Sequence, residues 1–268
     1  MVMRISASSY SNTAPLVWSF LYGKNHGKVE LIMDTAPARS AELLAQDRVD
    51  AALVPVIAYQ TIENVRLIPD VCVGTRKRVR SVCLVTSGRD LENVRSVALD
   101  TSSRTSVALT KIIFREFIGF EPEWIDAKPE VGAMLAMADA ALLIGDPSLR
   151  LSQRSTNGEP QPVLRSFDLA ELWHTHTGLG FVFAMWMTRN ASCKIDFSAA
   201  RDEGLEHLGD IAGNYKAGID LSHDEIREYL SENISYSIDE SMRRGMELYF
   251  ELAAKHSLIK ANRALQFR

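Results

Sequence analysis

The chain of 268 residues carries 30 basic and 34 acidic residues for a formal charge of -4, and 46% of it is hydrophobic. Charges of both signs are spread along the sequence, which excludes the broad positive field of a protein that binds nucleic acid or an anionic membrane. The apolar content suffices for one large domain or two lobes.

No apolar run reaches the roughly 20 residues of a membrane-spanning helix; the stretch from Ala133 to Ile144 is broken by Asp139. The opening Met1-Val2-Met3-Arg4-Ile5-Ser6 holds a charge within its apolar stretch and no small-residue cleavage site, so a cytoplasmic location is expected. Cys72, Cys83 and Cys193 stand far apart without Cys-x-x-Cys or histidine spacing, which argues for reduced, buried thiols over a disulfide framework or a structural zinc site. His174 and His176 could share a metal only if a third ligand came from elsewhere, and no carboxylate partner stands at a suitable spacing.

In chain order, Met3 to Ala7 reads as a strand. The stretch Ser9-Tyr10-Ser11-Asn12-Thr13-Ala14-Pro15-Leu16 then sets hydroxyls and an amide where that strand hands over to a helix, whose apolar residues Leu16, Val17, Phe20 and Leu21 fall at helical spacing. The first turn of such a helix offers unpaired N–H groups and a partial positive charge, which suits an anion. Strand 29–33, helix 37–46 entered through Asp34-Thr35-Ala36-Pro37, strand 51–54 and a helix or turn near 57–61 extend the pattern to βαβαβ, which favours a parallel sheet. A strand at 65–68, a solvated basic stretch Arg76-Lys77-Arg78-Val79-Arg80 and an apolar strand 81–86 follow.

A second series begins at strand 96–99, which runs into Asp100-Thr101-Ser102-Ser103-Arg104-Thr105-Ser106 and a helix over 106–117. This is a second anion cradle. Two cradles suggest one ligand with two acidic ends. Strand 123–125, helix 129–136 and strand 140–144, ending in Gly145-Asp146-Pro147, come next. A surface loop at 152–162, a loop from Trp173 to Gly180 and a very apolar strand 181–186 complete this part. Ser222-x-x-Glu225 and Ser237-x-x-Glu240 both read as capping boxes, and Met242, Met246, Tyr249, Phe250 and Ala253 form the core face of the last helix. The order of segments predicts an α/β protein of two lobes, residues 1–85 with 182–268 and residues 86–181, joined by two hinge crossings with the ligand between them.

Six stretches resemble, in order, the chorismate dehydratase family: Ser9 to Leu16, Asp50 to Pro55, Arg80-Ser81-Val82, Leu99 to Ser106, Leu143 to Asp146, and Thr177 to Trp186. The chain departs from the family's pattern at Asp47, at Arg76 to Arg78 and at Gly180, away from both cradles. The resemblance runs from about residue 3 to 260 and implies a periplasmic-binding-protein-like type II fold. It also implies loss of water from chorismate to give 3-[(1-carboxyvinyl)oxy]benzoate in the futalosine route to menaquinone. The alternatives are 1,4-dihydroxy-6-naphthoate synthase of the same route, whose opening motif differs, and a binding protein for a small acid without chemistry.

Such a dehydration needs oriented carboxylates, a proton acceptor and help for the leaving oxygen, with no cofactor or metal. The resemblance places Asn12 and Ser81 at the reacting end as catalytic residues. Neither is a strong base, so the substrate's own enolpyruvyl carboxylate is expected to take the ring proton. Read from the residues alone, Asn12 is more readily an ordinary helix cap and Ser81 a strand hydroxyl bonded to backbone. Ser103, Thr105 and Ser106 are expected to hold a substrate carboxylate, with Ser11, Thr13 and Asp146 also contributing. Asp100 and Asp146 fit structural roles better than an acid–base pair, because free carboxylates repel a dianion. Trp173 or Phe183 could pack on the substrate ring or belong to the core.

Overall fold

The computed structural model describes residues 2–153 and 164–268. Strand β1 (Met3–Ser8) leads through one tight turn at Ser11–Thr13 into helix α1 (Ala14–Leu21), with Pro15 in its first turn, where a missing N–H leaves no bond unmade. Strand β2 (Val29–Asp34), helix α2 (Pro37–Ala45) and strand β3 (Ala51–Pro55) follow, then β4 (Arg66–Thr75). The second lobe holds β5 (Val82–Thr86), β6 (Ser96–Asp100), α3 (Arg104–Ile112), β7 (Glu123–Ala127), α4 (Val131–Met137) and β8 (Ala140–Ile144). It ends with α5 (Asp146–Leu149), β9 (Arg165–Asp168) and α6 (Leu169–Thr177). Strand β10 (Phe181–Thr188) and helices α7 (Phe197–Glu206), α8 (Leu208–Ile219), α9 (His223–Glu228) and α10 (Glu240–Lys255) return to the first lobe.

Two five-stranded sheets result, ordered β2-β1-β3-β10-β4 and β7-β6-β8-β5-β9. In each, four strands run in one direction, three of them paired side by side as the βαβ reading requires, while β10 and β5 run against both neighbours. The central strands β3 and β8 are buried at every residue, the pattern expected when helices cover both faces. The crossings between lobes are the short segments 76–81 and 178–180, ahead of the two apolar strands and not the strands themselves. β5 therefore lies wholly in the second sheet.

Four local expectations are corrected. Strand β4 runs to Thr75 because the Pro69-Asp70 pair, with Asp70 at φ 57°, forms a bulge against β10 and does not end the strand. The expected helix at 106–117 starts two residues earlier, and past Ile112 it widens into one π-type stretch, 113–118, ended by Gly119 at φ 91°. The expected loop at Trp173 is helix α6: Asp168 caps its start and Gly178, at φ 70°, its end. The run His-Thr-His-Thr has poor helix propensity, and these two caps offset it. Finally, α10 is capped by Asp239, which accepts from Met242 N at 2.8 Å, and the Ser237 hydroxyl accepts from Arg201 instead. The Ser222 box forms as expected. The surface loop expected at 152–162 lies, beyond Gln153, outside the described residues.

Candidate active site

A cavity of about 50 Å³ lies where the two sheets face each other. Its polar lining comes from Ser8, Asn12 and Thr13 on one lobe and Ser103 and Ser106 on the other; Tyr10, Val82 and Phe183 are among its apolar walls. No charged side chain stands among the described residues that line it. An anion held here meets hydroxyls, an amide and helix ends.

On the first lobe, the chain leaves β1 through extended Tyr10 and turns at Ser11–Thr13 before α1. The Thr13 hydroxyl lies 2.5 Å from Ser8 O and 2.8 Å from Tyr10 O, so it donates within the turn and fixes it. Ser11 is wholly buried and turns its donors across the cleft. Its N–H donates to the Asp146 carboxylate at 3.2 and 3.3 Å and its hydroxyl at 2.5 Å. Burial pushes the Asp146 carboxyl up from its ordinary value, against the pull of these donors.

On the second lobe, extended Ser103 caps α3: its hydroxyl accepts from Ser106 N at 3.3 Å and pairs with the Ser106 hydroxyl at 2.8 Å. Thr105 is buried but does not line the cavity; its hydroxyl accepts from Ile57 N of the first lobe at 3.3 Å, and its carbonyl accepts from the Tyr249 hydroxyl at 3.1 Å. Asp100, at the end of β6, is wholly buried. One of its oxygens accepts from Ser102 N at 3.0 Å and the other meets no hydrogen-bond partner among the described residues; burial raises its pKa against the pull of Ser102.

Ser81 ends the first crossing, held by its N–H on Val79 O at 2.8 Å and by Gly145 N on its carbonyl at 2.7 Å. Its hydroxyl is buried and meets no partner of full hydrogen-bond geometry among the described residues. Preceding Arg80 is in the left-handed region at φ 63°, a strained position for a residue with a side chain. Asp168 steadies this segment: its carboxylate accepts from Val79 N at 3.0 Å and Arg80 N at 2.6 Å as well as from Ala170 N and Glu171 N of α6. The lone carboxylate between two apolar segments gave no signal of this in sequence.

The cleft thus brings Asn12, Thr13, Ser103 and Ser106 together at one cavity, with buried Ser11, Ser81 and Thr105 and half-buried Asp146 outside its lining and bonded or packed elsewhere. Phe183 lines the cavity, whereas Trp173 lies in the core against Phe117 and Phe181. His174 contacts Leu179 O and His176 stacks on Phe117 at 4.5 Å, so the two rings engage different partners. No group of metal-binding side chains is found among the described residues. Sequence reasoning missed Tyr229, whose wholly buried phenol sits beside Ser81 and Asn12.

A profile of the menaquinone biosynthesis family matches residues 3–255. A chorismate dehydratase of Thermus thermophilus is 30% identical over 262 residues, which cover 90% of this chain and 92% of that protein. A chorismate dehydratase of Campylobacter jejuni is 26% identical over 217 residues, covering 80% and 79%. Among solved structures, a Candida albicans protein with the generic periplasmic binding protein fold superposes with a TM-score of 0.65 at 13% identity, over 100% of this chain and 98% of that one. The two α/β lobes expected from the sequence are therefore those of the periplasmic-binding-protein-like fold.

Proposed function

The chain belongs to the menaquinone biosynthesis family, among chorismate dehydratases, and from this premise we propose how its cleft removes water from chorismate. The observation that carries the reading is the cavity itself: neutral donors from both lobes, apolar walls between them and no charged lining. Chorismate presents two carboxylates and an apolar ring face to match. Ser103, Ser106 and the first turn of α3 take one carboxylate through hydroxyl and N–H donors, an interaction in which a helix end contributes roughly 0.3–2 kcal/mol. Asn12, at the other end, and Ser81 act on the reacting ring carbon's neighbour, the hydroxyl that departs.

The reaction breaks a C–H bond at the carbon bearing the enolpyruvyl ether and the C–O bond next to it, and gains an aromatic ring. The substrate's enolpyruvyl carboxylate takes the proton, and the electron pair of the broken C–H bond becomes the new double bond. The departing oxygen keeps the C–O pair and receives that proton, so atoms and charge balance without a protein base. The protein's part is conformational restraint and hydrogen bonding to developing charge. Thr13, Thr105, Ser11 and Asp146 hold the two cradles in place. No helix of the described residues is long and apolar enough to cross a membrane. The reading carries a cytoplasmic location, where a biosynthetic diacid is made and consumed.

A cavity of about 50 Å³ admits little more than a few waters. The lobes therefore part to admit a ten-carbon diacid. Incubation of the purified protein with chorismate, followed by ultraviolet absorbance and mass analysis, is expected to show an aromatic product lighter by one water. Tight binding of chorismate with no product would instead make the chain a binding protein, and an untouched, unbound substrate would overturn the assignment.

A further inference from the structure

Resting on that reading, we propose that Tyr229 is a positioning residue of the dehydration, its phenol holding the Ser81 hydroxyl and the Asn12 amide against the departing oxygen. Tyr229 is carried by a wide π-type turn at Tyr229–Asn233 that continues α9. Such single wide turns interrupt a helix at a cost in regularity and recur where a side chain must be delivered to a site. The phenol and Ser81 are both 0% exposed, and neither hydroxyl meets full hydrogen-bond geometry with a partner among the described residues; Ser81 and Asn12 are the hydrogen-bonding side chains that neighbour the phenol.

Buried hydroxyls without partners are rare and unfavourable, and each demands a reason. Two of them in the neighbourhood of the amide that lines the cavity leave hydrogen-bonding capacity unspent at one end of the site. The chemistry supplies its use. As the C–O bond breaks, the oxygen gains negative charge and needs donors; Asn12 and Ser81 supply them, and the Tyr229 phenol donates into the same cluster, fixing their rotamers. No proton leaves the phenol, because the departing oxygen receives the one abstracted from the ring. Burial, and with it the charge of Asp146, raises the pKa of the phenol, which favours its protonated, donating form.

Tyr229→Phe removes one oxygen and keeps the ring that fills the core. The expected result is a fall of about 10- to 100-fold in kcat, with KM within about twofold and the melting temperature not lowered. In the Ser81→Ala background the same change is expected to add less than about threefold, since both hydroxyls serve one oxygen. Wild-type kcat from Tyr229→Phe, or a fully multiplicative loss in the double variant, overturns the inference. A loss confined to KM and melting temperature overturns it too, as that marks a purely structural phenol. A crystal structure with the aromatic product bound gives a second measurement independent of the variant's folding: the Tyr229 hydroxyl is expected within hydrogen-bond distance of Ser81 or Asn12, and a hydroxyl still unpartnered there overturns it. Wild-type protein inactive on chorismate in the same assay is the distinct outcome that overturns the reading on which the inference stands.

Discussion

The Asp146 carboxylate of the second lobe receives both the backbone N–H and the hydroxyl of Ser11 in the first, at 3.2 and 2.5 Å. The two residues are 135 positions apart in sequence, and their bond spans the mouth between the sheets. It places a protein carboxylate on the N–H at the start of the Ser11–Thr13 turn, next to Asn12. Closure of the lobes and placement of Asn12 are thus linked through one acid.

Asp146→Ala removes that acceptor and leaves Ser11 without it. Hydrogen bonds to a charged group contribute about 1.5–3 kcal/mol, so kcat/KM is expected to fall by roughly 10- to 100-fold. Small-angle scattering of the ligand-free variant should show a larger radius of gyration than wild type. An unchanged radius together with unchanged kinetics would show that the lobes close without this bond.

The pair Ser103 and Ser106 separates binding from stability. Ser106→Ala removes a lining hydroxyl but keeps the N–H that Ser103 caps, so KM for chorismate is expected to rise by about tenfold, the effect of losing one charge-assisted bond, with a smaller fall in melting temperature than Ser103→Ala. Ser103→Ala also uncaps α3, which costs about 1 kcal/mol, and should lower the melting temperature as well. Equal thermal effects in the two variants would contradict the capping geometry.

Asp100 predicts a pH dependence. Its native pKa is raised above the ordinary 3.8 by burial, so the folded state binds the proton more tightly than the unfolded one between these two values. The charged carboxylate therefore opposes folding above the native pKa, and the opposition fades as pH falls through that window. Asp100→Asn is expected to raise the melting temperature at pH 7, by a few degrees for the roughly 1–3 kcal/mol of an unpartnered buried group, and by progressively less toward about pH 4. Thermal melts at both pH values check this; an equal gain at both would refute it.

Gly204 of α7 allows α1 to lie close. A Cβ there would sit 1.9 Å from the Pro15 carbonyl oxygen, which is backbone and has little room to move. Gly204→Ala is expected to destabilise the fold by about 1–3 kcal/mol and to lower kcat/KM, because the α1 entrance that carries Asn12 must shift. Denaturant melts and turnover read the two effects.

Much of this was legible in the residues. Pro15 with the apolar spacing of Leu16, Val17 and Phe20 announced α1, the Ser222–Glu225 box announced α9, and the hydroxyl run at Ser103 announced a cap, because each signal is local and its energetics are settled within one turn. Strand β4 and helix α6 were obscured where a local breaker or weak helix formers were overruled by tertiary pairing with β10 or by caps at both ends. Ser11 with Asp146, Thr105 with Ile57, and Tyr229 with Ser81 left no trace, since each pair meets only after both sheets are built and carries no spacing of its own.

Asp168 gives the molecule its axle. Its carboxylate grips the outgoing passage at Val79 and Arg80 and the head of the helix that feeds the returning one. One buried carboxylate thus ties both passages together, and its removal would loosen the two at once.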